Sequence, residues 1–386
     1  MSEAFSITDR EHMAHAIALA DRARYTPDPN PRVGCVIVNA SGEVVGEGWH
    51  QFAGEGHAEV HALNDAGDKA EGGTAYVTLE PCSHQGRTPP CCDALIDAKL
   101  ARVVVAMMDP NPQVAGQGIS RMQQAGIDVA HGLLTAEAEA LNPGYLLRMC
   151  EGRPYVRCKL AMSVDGRTAM ANGESKWITS PQARADVHLM RARSSAILTG
   201  SGTVLADDPS MTVRIEAEND EFSEQQLRAL KRRQPPLRVI IDSQLKTPLT
   251  AGIFSPANTT KIFAASSADK EKINALQAKG VDVATLPATQ SGQLDLAEVL
   301  KSLAAEQINE VMVEAGAGLA GALLAAHCVD ELVIYMAPKL MGDNARGLLH
   351  LPALANMSDA IGLEIKDIRA IGPDWRITAI PVYAEH

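Results

Sequence analysis

The sequence predicts an α/β protein of two successive domains, and three observations carry that prediction. Its 386 residues exceed the length at which a single hydrophobic core usually keeps growing. Apolar strand-like runs alternate with helical periodicity along most of the chain, the pattern of a layered sheet. Around 142–154 this rhythm is broken by Gly144, Gly152 and Pro154 within a charged stretch. The boundary is placed there, dividing the chain into 1–152 and 153–386.

In the first half, Thr8 with Glu11 three residues later has the form of a capping box, and Met13, Ala16, Ile17 and Ala20 follow at helical spacing. A loop over 26–32 leads into a strand at 33–38, a Ser41-Gly42 turn and a second strand at 44–49, which together read as a hairpin. A helix from Ala58, a strand at 74–79, a helix after Cys91, a strand at 102–107 and helical pattern near 119–124 complete the domain.

The second half opens with a strand at 155–160 and a turn at Asp165-Gly166. Ser180-Pro181 supplies an N-cap followed by proline at the first helical position, starting a helix that runs to about Ala192. Short strands follow at 196–198, 238–241, 261–264, 311–313 and 332–335. Between them, 216–236 is crowded with charge and glutamine and reads as a solvated excursion without chemistry.

The hydrophobic share of 46% and charged share of 21% are ordinary for a folded soluble protein. A net charge of −12 argues against a broad face for nucleic acid and favours a small anionic substrate. The start of the chain lacks an apolar targeting core and no segment approaches a membrane span, so a cytoplasmic protein is expected. Seven scattered cysteines form no disulfide framework, and Cys35 and Cys158 lie in apolar runs as small hydrophobes. Only the cluster at 82–92 invites chemistry.

His57-Ala58-Glu59 followed by Pro81-Cys82 has the order of a zinc deaminase signature, in which His and two Cys ligate and Glu does not. Two thiolates and an imidazole leave a fourth position for water, whose pKa the metal lowers toward neutrality. Glu59, in the first turn of a helix, is placed to shuttle the protons. The second thiolate follows after eight residues (Ser83 to Pro90) rather than the usual two. Cys91 is preferred over Cys92 because it opens a helix whose N-terminus favours a thiolate. The competing reading is a structural zinc with His84 or Cys92 as fourth ligand. His50, His61 and His84 read as solvent-facing or substrate-facing.

These residues resemble the bifunctional deaminase-reductase family of riboflavin biosynthesis. The resemblance rests on Asn30-Pro31-Arg32-Val33-Gly34-Cys35, on His57-Ala58-Glu59 and on the long segment from Glu80 to Cys91. It continues through Lys159 to Arg167, Gly173 to Ile178, Thr203 to Pro209 and Glu314-Ala315-Gly316. It implies a cytidine-deaminase-like three-layer domain followed by a dihydrofolate-reductase-like α/β domain, with zinc in the first and NADPH in the second. The implied substrate is a diaminopyrimidinone carrying a ribosylamino phosphate, and a homodimer or tetramer is the implied assembly. NADPH binding carries over to Ala161, Trp177, Thr203, Asp207, Ser243 and the run Gly316, Ala317, Gly318, Leu319, Ala320, Gly321 and Ala322. Substrate binding carries over to Ser175, Arg191, Met211, Arg214 and Glu314.

Read by itself, the glycine-rich run after strand 311–313 suits a phosphate cradle at a helix N-terminus, or merely close helix–sheet packing. Asp330 and Glu331 come too early for the ribose contact expected about twenty residues on. Arg191 and Arg214 suit a phosphate ester, since a guanidinium fork donates two parallel hydrogen bonds. Lys159 and Asp207 are the candidate proton donors for the reduction. The rival reading is a deaminase of another base or of transfer RNA, with a noncatalytic binding module as its second half.

Overall fold

The computed structural model describes residues 5–26, 28–85, 89–112, 114–215, 227, 230–256 and 259–383. The chain divides into two compact units, Met1–Gly152 with Phe222–Arg233 and Arg153–Glu221 with Gln234–His386.

The first unit holds a five-stranded sheet of β1 (Gly34–Val38), β2 (Val44–Trp49), β3 (Thr74–Val77), β4 (Arg102–Val105) and β5 (Asp128–His131), in the order β2-β1-β3-β4-β5. β1 runs antiparallel to β2 and β3, and the last three strands are mutually parallel. Helix α1 (Ile7–Asp21) and helix α2 (Ala58–Ala66) cover opposite faces of the hairpin. The register shows why. Gly34 pairs with Trp49, and Cys35 with Gly48, so Gly34 and Gly48 point to different sides. A Cβ on Gly34 would lie 2.0 Å from the Ala16 carbonyl oxygen of α1, and one on Gly48 would lie 2.2 Å from that of Ala58 in α2. Gly48 therefore lets the start of α2, with His57 and Glu59, press against the sheet.

The sequence places the cap of α1 two residues late. Ser6 is the N-cap, its hydroxyl accepting from the Asp9 amide while the Asp9 carboxylate accepts from the Ser6 amide; Thr8 lies inside the helix. An aspartate serves the third position as well as a glutamate, and here it also ties the helix to the sheet. Asp9 accepts from Arg102 at 2.7 Å and from the Tyr76 hydroxyl at 2.8 Å. Burial by itself would raise its carboxyl, but Arg102, Ser6 and Tyr76 outweigh that and hold it at about 2. The contribution to stability is complete above the ordinary value of 3.8 and is lost as pH falls through about 2. Asp9→Asn should thus cost about 1–3 kcal/mol at neutral pH, with the gap from wild type closing toward strong acid. Denaturant unfolding of both proteins across that range measures it.

Helices α3 (Cys91–Asp97), α4 (Gln117–Gln124), α5 (Thr135–Leu141) and α6 (Pro143–Glu151) complete the unit. The break in rhythm after Asn142 is itself a helix: Pro143 sits at its first position and Gly152 ends it. The side chain of Asn142 is used across the fold, bracketing Arg32 through the backbone amide at 2.7 Å and the carbonyl at 2.9 Å. Of the charged excursion 216–236, residues 216–226, 228 and 229 lie outside the described residues. Its described end is engaged rather than merely solvated. Arg232 pairs with Glu55 and lies 4.3 Å over the Phe52 ring.

The second unit is a nine-stranded sheet. β6 (Tyr155–Ser163), β8 (Ala196–Gly200), β9 (Leu237–Ile241), β10 (Thr260–Ala265), β11 (Asp282–Leu286), β12 (Glu310–Val313) and β13 (Glu331–Ala337) join β15 (Gly362–Ile371) and β16 (Asp374–Val382) in it. The order is β11-β10-β9-β8-β12-β6-β13-β16-β15. The strands from β11 to β13 are parallel; β16 and β15 add an antiparallel edge. β7 (Arg167–Ala169) and β14 (Arg346–Gly347) form a separate two-stranded ribbon. Helices α7 (Pro181–Arg193), α8 (Ser201–Asp207), α9 (Lys270–Ala278), α10 (Leu296–Ala305) and α11 (Ala317–Ala325) connect the strands. The cap of α7 is as expected, with the Ser180 hydroxyl accepting from the Ala183 amide and Pro181 first in the helix. The hairpin β15–β16 is absent from the sequence reading, although Leu363 and Ile365 alternate with polar residues; its β15 is exposed along nearly its whole length.

Candidate functional site

In the first unit, His57 caps α2, Glu59 lies in its first turn, Cys82 follows β3, and Cys91 opens α3. Strand, loop and two helix N-termini bring one ligand atom each from His57, Cys82 and Cys91 to within 4.8 Å of one another. The imidazole uses Nδ1, which lies 3.1 Å from the Cys91 Sγ and 3.6 Å from the Cys82 Sγ. The Cys91 amide donates to the Cys82 sulfur at 3.3 Å. Hydrogen bonding from Cys91 pulls the Cys82 thiol down to about 4. The same bond, with burial, pushes the Cys91 thiol up. A cation held by the two sulfurs would displace their protons. Cys92 instead sits in the hydrophobic core, and His84 is exposed. Among the described residues this is the one His/Cys/carboxylate cluster suited to a metal.

Glu59 is buried, and its Oε2 has no hydrogen-bond partner. Burial above all raises its carboxyl to about 7; His57 opposes that and Cys82 adds to it. An unpartnered buried carboxyl oxygen beside two thiols and an imidazole is a group kept for a ligand, and the donor set fits zinc with a position left open.

Of the two readings of His50, facing solvent is ruled out, since it is only 2% exposed. Its Nδ1 lies 3.1 Å from the Gly56 carbonyl and its Nε2 3.1 Å from the Asn30 amide nitrogen. A carbonyl only accepts, so Nδ1 carries the proton and Nε2 accepts from Asn30. Burial holds this ring down to about 4, keeping it neutral. It stands edge-on to His57 with ring centres 5.1 Å apart. Asn30 belongs to a distinctive stretch of sequence, but its partner lies on another loop.

In the second unit the nominated residues gather at the carboxyl ends of four adjacent parallel strands, β9, β8, β12 and β6. Ser243 follows β9, Thr203 and Asp207 lie on the helix that follows β8, Glu314 and the glycine-rich run follow β12, and Ala161 is near the end of β6. Open α/β sheets bind ligands at such ends. The Gly316 amide donates to the Thr203 hydroxyl at 3.2 Å. The glycines of the run differ in their surroundings. A Cβ on Gly321 would lie 2.0 Å from the His350 carbonyl oxygen, a packing constraint, whereas one on Gly318 would meet open space. Trp177 is exposed beneath the Arg184 guanidinium, 4.5 Å from its ring centre, and its carbonyl accepts from Lys339. Ser175 lies two residues before it, partly buried. Asp330 and Glu331 are occupied elsewhere, by Arg153 and Arg157.

The guanidinium fork of Arg191 is turned on Glu314 in a two-pronged ion pair, with its Nη1 on the Thr212 carbonyl at 2.9 Å. Arg214 is exposed and has no ion-pair partner among the described residues. Its amide donates to the His188 Nδ1 at 3.1 Å. His188, one turn before Arg191 on α7, escaped the sequence reading; burial first, then Arg191 and Arg214, hold it down to about 4. Met211 is buried with a left-handed backbone, φ 51°. Buried Arg238 anchors its loop through the carbonyls of Ser210 and Ser255.

Residues 6–107 match the family described as the cytidine and deoxycytidylate deaminase zinc-binding region. Residues 154–377 match the RibD C-terminal domain. The chain belongs to the RibD family. The riboflavin biosynthesis protein RibD of Escherichia coli K12 is 56% identical over 367 residues, spanning 95% of this chain and 97% of its own. A structure of Acinetobacter baumannii RibD is 41% identical, with a TM-score of 0.87 over 97% of this chain and 99% of its own. A third relative is the Thermotoga maritima diaminohydroxyphosphoribosylaminopyrimidine deaminase/5-amino-6-(5-phosphoribosylamino)uracil reductase. It is 29% identical, with a TM-score of 0.80 over 97% of this chain and 99% of its own. As a RibD-family protein, the chain is a bifunctional enzyme of riboflavin biosynthesis, with a zinc-binding deaminase domain and an NADPH-dependent reductase domain. A deaminase joined to a noncatalytic module is set aside. No helix among the described residues is long and apolar enough to cross a membrane.

Proposed function

We propose that the first domain, 1–152, hydrolyses the 2-amino group of 2,5-diamino-6-(5-phosphoribosylamino)pyrimidin-4(3H)-one, giving 5-amino-6-(5-phosphoribosylamino)uracil. The second domain, 153–386, then reduces the ribosyl side chain to ribityl phosphate. The observation that carries the first step is the trio His57, Cys82 and Cys91 within 4.8 Å, beside a buried Glu59 oxygen without a partner. These three residues would hold zinc, which supplies a water ionised near neutral pH. Glu59 would take one proton from that water and deliver it to the ring nitrogen, then take the second from the newly added hydroxyl, as it becomes a carbonyl, and pass it to the departing amine. The balance is the exocyclic bond from ring carbon to amino nitrogen broken, a C–O bond formed at that carbon and ammonia released.

For the reduction, NADPH supplies a hydride to the first carbon of the opened sugar. Thr203, the start of α11 and Ser243 would cradle the cofactor, with Ala161, Trp177 and Asp207 around it. Arg214, exposed and without an acidic partner among the described residues, would hold the substrate phosphate, and the Arg191–Glu314 pair with Ser175 and Met211 would line the sugar. Lys159 is the favoured proton donor, since burial lowers its ammonium toward the working pH and Glu314 stands by it.

We place the enzyme in the cytoplasm, acting on a small phosphorylated pyrimidine and not on nucleic acid, in keeping with its charge of −12. Self-association is supported by the β15–β16 hairpin. Leu363, Ile365 and Ile368 pair with Pro381, Ala379 and Ile377, and so share an exposed apolar face with Trp375.

The deciding experiment compares two neighbouring cysteines. Cys91→Ala should lose both near-stoichiometric zinc and ammonia release from the diaminopyrimidinone phosphate, while Cys92→Ala keeps both. Zinc retained by Cys91→Ala, or wild-type protein without zinc when purified free of chelator, would overturn the assignment.

A further inference from the structure

Beyond β3 the chain runs through Thr78 and Leu79 to Glu80, whose side chain is 3% exposed. Its carboxylate meets no lysine or arginine among the described residues. It accepts instead from four backbone amides of one loop. Oε2 takes those of Asp109 at 3.2 Å and Gly116 at 2.9 Å; Oε1 takes those of Gly118 at 3.0 Å and Ile119 at 3.3 Å. Gly118 and Ile119 lie in the first turn of α4, where amides lack helical partners. The Glu80 amide in turn donates to the Met107 carbonyl at 3.0 Å.

This clamp borders the metal turn directly. A Cβ on Gly118 would lie 2.0 Å from the Pro81 carbonyl oxygen, so α4 and Pro81 meet backbone to backbone. On the other side, the Cys92 amide donates to the Cys82 carbonyl at 3.2 Å and the Cys91 amide to its sulfur at 3.3 Å. Pro81-Cys82 is therefore gripped between the start of α3 and the Glu80-bound start of α4.

We propose that Glu80 is a positioning residue for Cys82, setting where that sulfur stands for zinc by locking the Pro81-Cys82 turn to the 109–119 loop. The inference rests on Cys82 being a zinc ligand. A carboxylate can accept from all four amides, each oxygen offering two lone pairs. Glutamine keeps the shape but puts an NH2 group against two of the donors, leaving both without an acceptor. Aspartate keeps the acceptors on a shorter stem.

The test is zinc affinity by chelator competition, together with the absorption spectrum of the cobalt(II)-substituted full chain, which reports sulfur ligation and geometry. Glu80→Gln should weaken zinc roughly 10–100-fold, the usual effect of losing a partner that orients a ligand. It should also shift the cobalt bands, with Glu80→Asp lying closer to wild type. Wild-type affinity and an unchanged cobalt spectrum in Glu80→Gln would overturn the proposal. If near-UV circular dichroism shows that Glu80→Gln has lost its fold, Gly118→Ala decides, because it pushes on the Pro81 carbonyl directly. Unchanged affinity and spectrum there overturn the proposal, and weaker zinc with shifted bands supports it. Cys82→Ala separates the two levels. Zinc retained by that variant removes the ligand assignment itself, whereas zinc lost there but kept by Glu80→Gln removes only the positioning role.

Discussion

Glu59→Gln should lower ammonia release by roughly 10²–10⁴-fold, the range that general acid–base catalysis commonly contributes, while zinc content and NADPH oxidation stay as in wild type. Glutamine has nearly the same shape, so the packing around the start of α2 is kept. It cannot take up and return a proton at the oxygen that the structure leaves without a partner. Burial has already raised the glutamate carboxyl to about 7, where gaining and losing a proton cost little at neutral pH. Ammonia release and bound zinc measured on one sample check this. More than a tenth of wild-type activity in a zinc-loaded variant would show that another group moves the proton.

Glu314→Gln should have the largest effect on the second reaction. Glu314 is paired with Arg191 and also feels the charge of Lys159, and Arg191 above all holds its carboxyl down against the cost of burial. Taking away that charge leaves two cations facing each other in a nearly buried site. Breaking a buried ion pair typically costs about 3–5 kcal/mol. If that cost falls on the transition state, kcat/KM drops roughly 10²–10⁴-fold. The pH profile moves too. Burial lowers the Lys159 ammonium, Glu314 raises it and Arg191 lowers it, so without Glu314 the alkaline limb moves to lower pH. NADPH oxidation with the deaminated intermediate, followed across pH, gives both quantities. Ammonia release should be untouched, and an unchanged alkaline limb would remove Lys159 as the donor.

Much of the deaminase site was legible because its chemistry is local in sequence. His57 and Glu59 are two residues apart at a helix start, and a helix N-terminus at Cys91 follows from the prolines before it. The reductase site was legible mainly through resemblance. Its residues are single positions at the ends of separate strands, and only the glycine-rich run has a local signature. Even there the sequence could not say which glycine serves packing. Gly321 does so because the His350 carbonyl lies against it, a contact made 29 residues away.

By itself the sequence determined the alternation of strands and helices, the start of α7 at Ser180-Pro181, and the identity and order of the candidate zinc ligands. Hydrophobic period, capping residues and helix-start spacing are properties of neighbours along the chain, so they survive without a structure. Only the tertiary structure decided that Ser6 and not Thr8 caps α1, since Asp9 is chosen partly by Arg102 and Tyr76 on β4 and β3. It alone decided that the Arg191 fork meets Glu314, that His50 is buried against Asn30, and that Glu80 binds a loop 29 to 39 residues away. Each of these is a hydrogen bond between segments brought together by strand order. A buried charge takes whatever donors the folded chain sets beside it, and residue type cannot name them in advance.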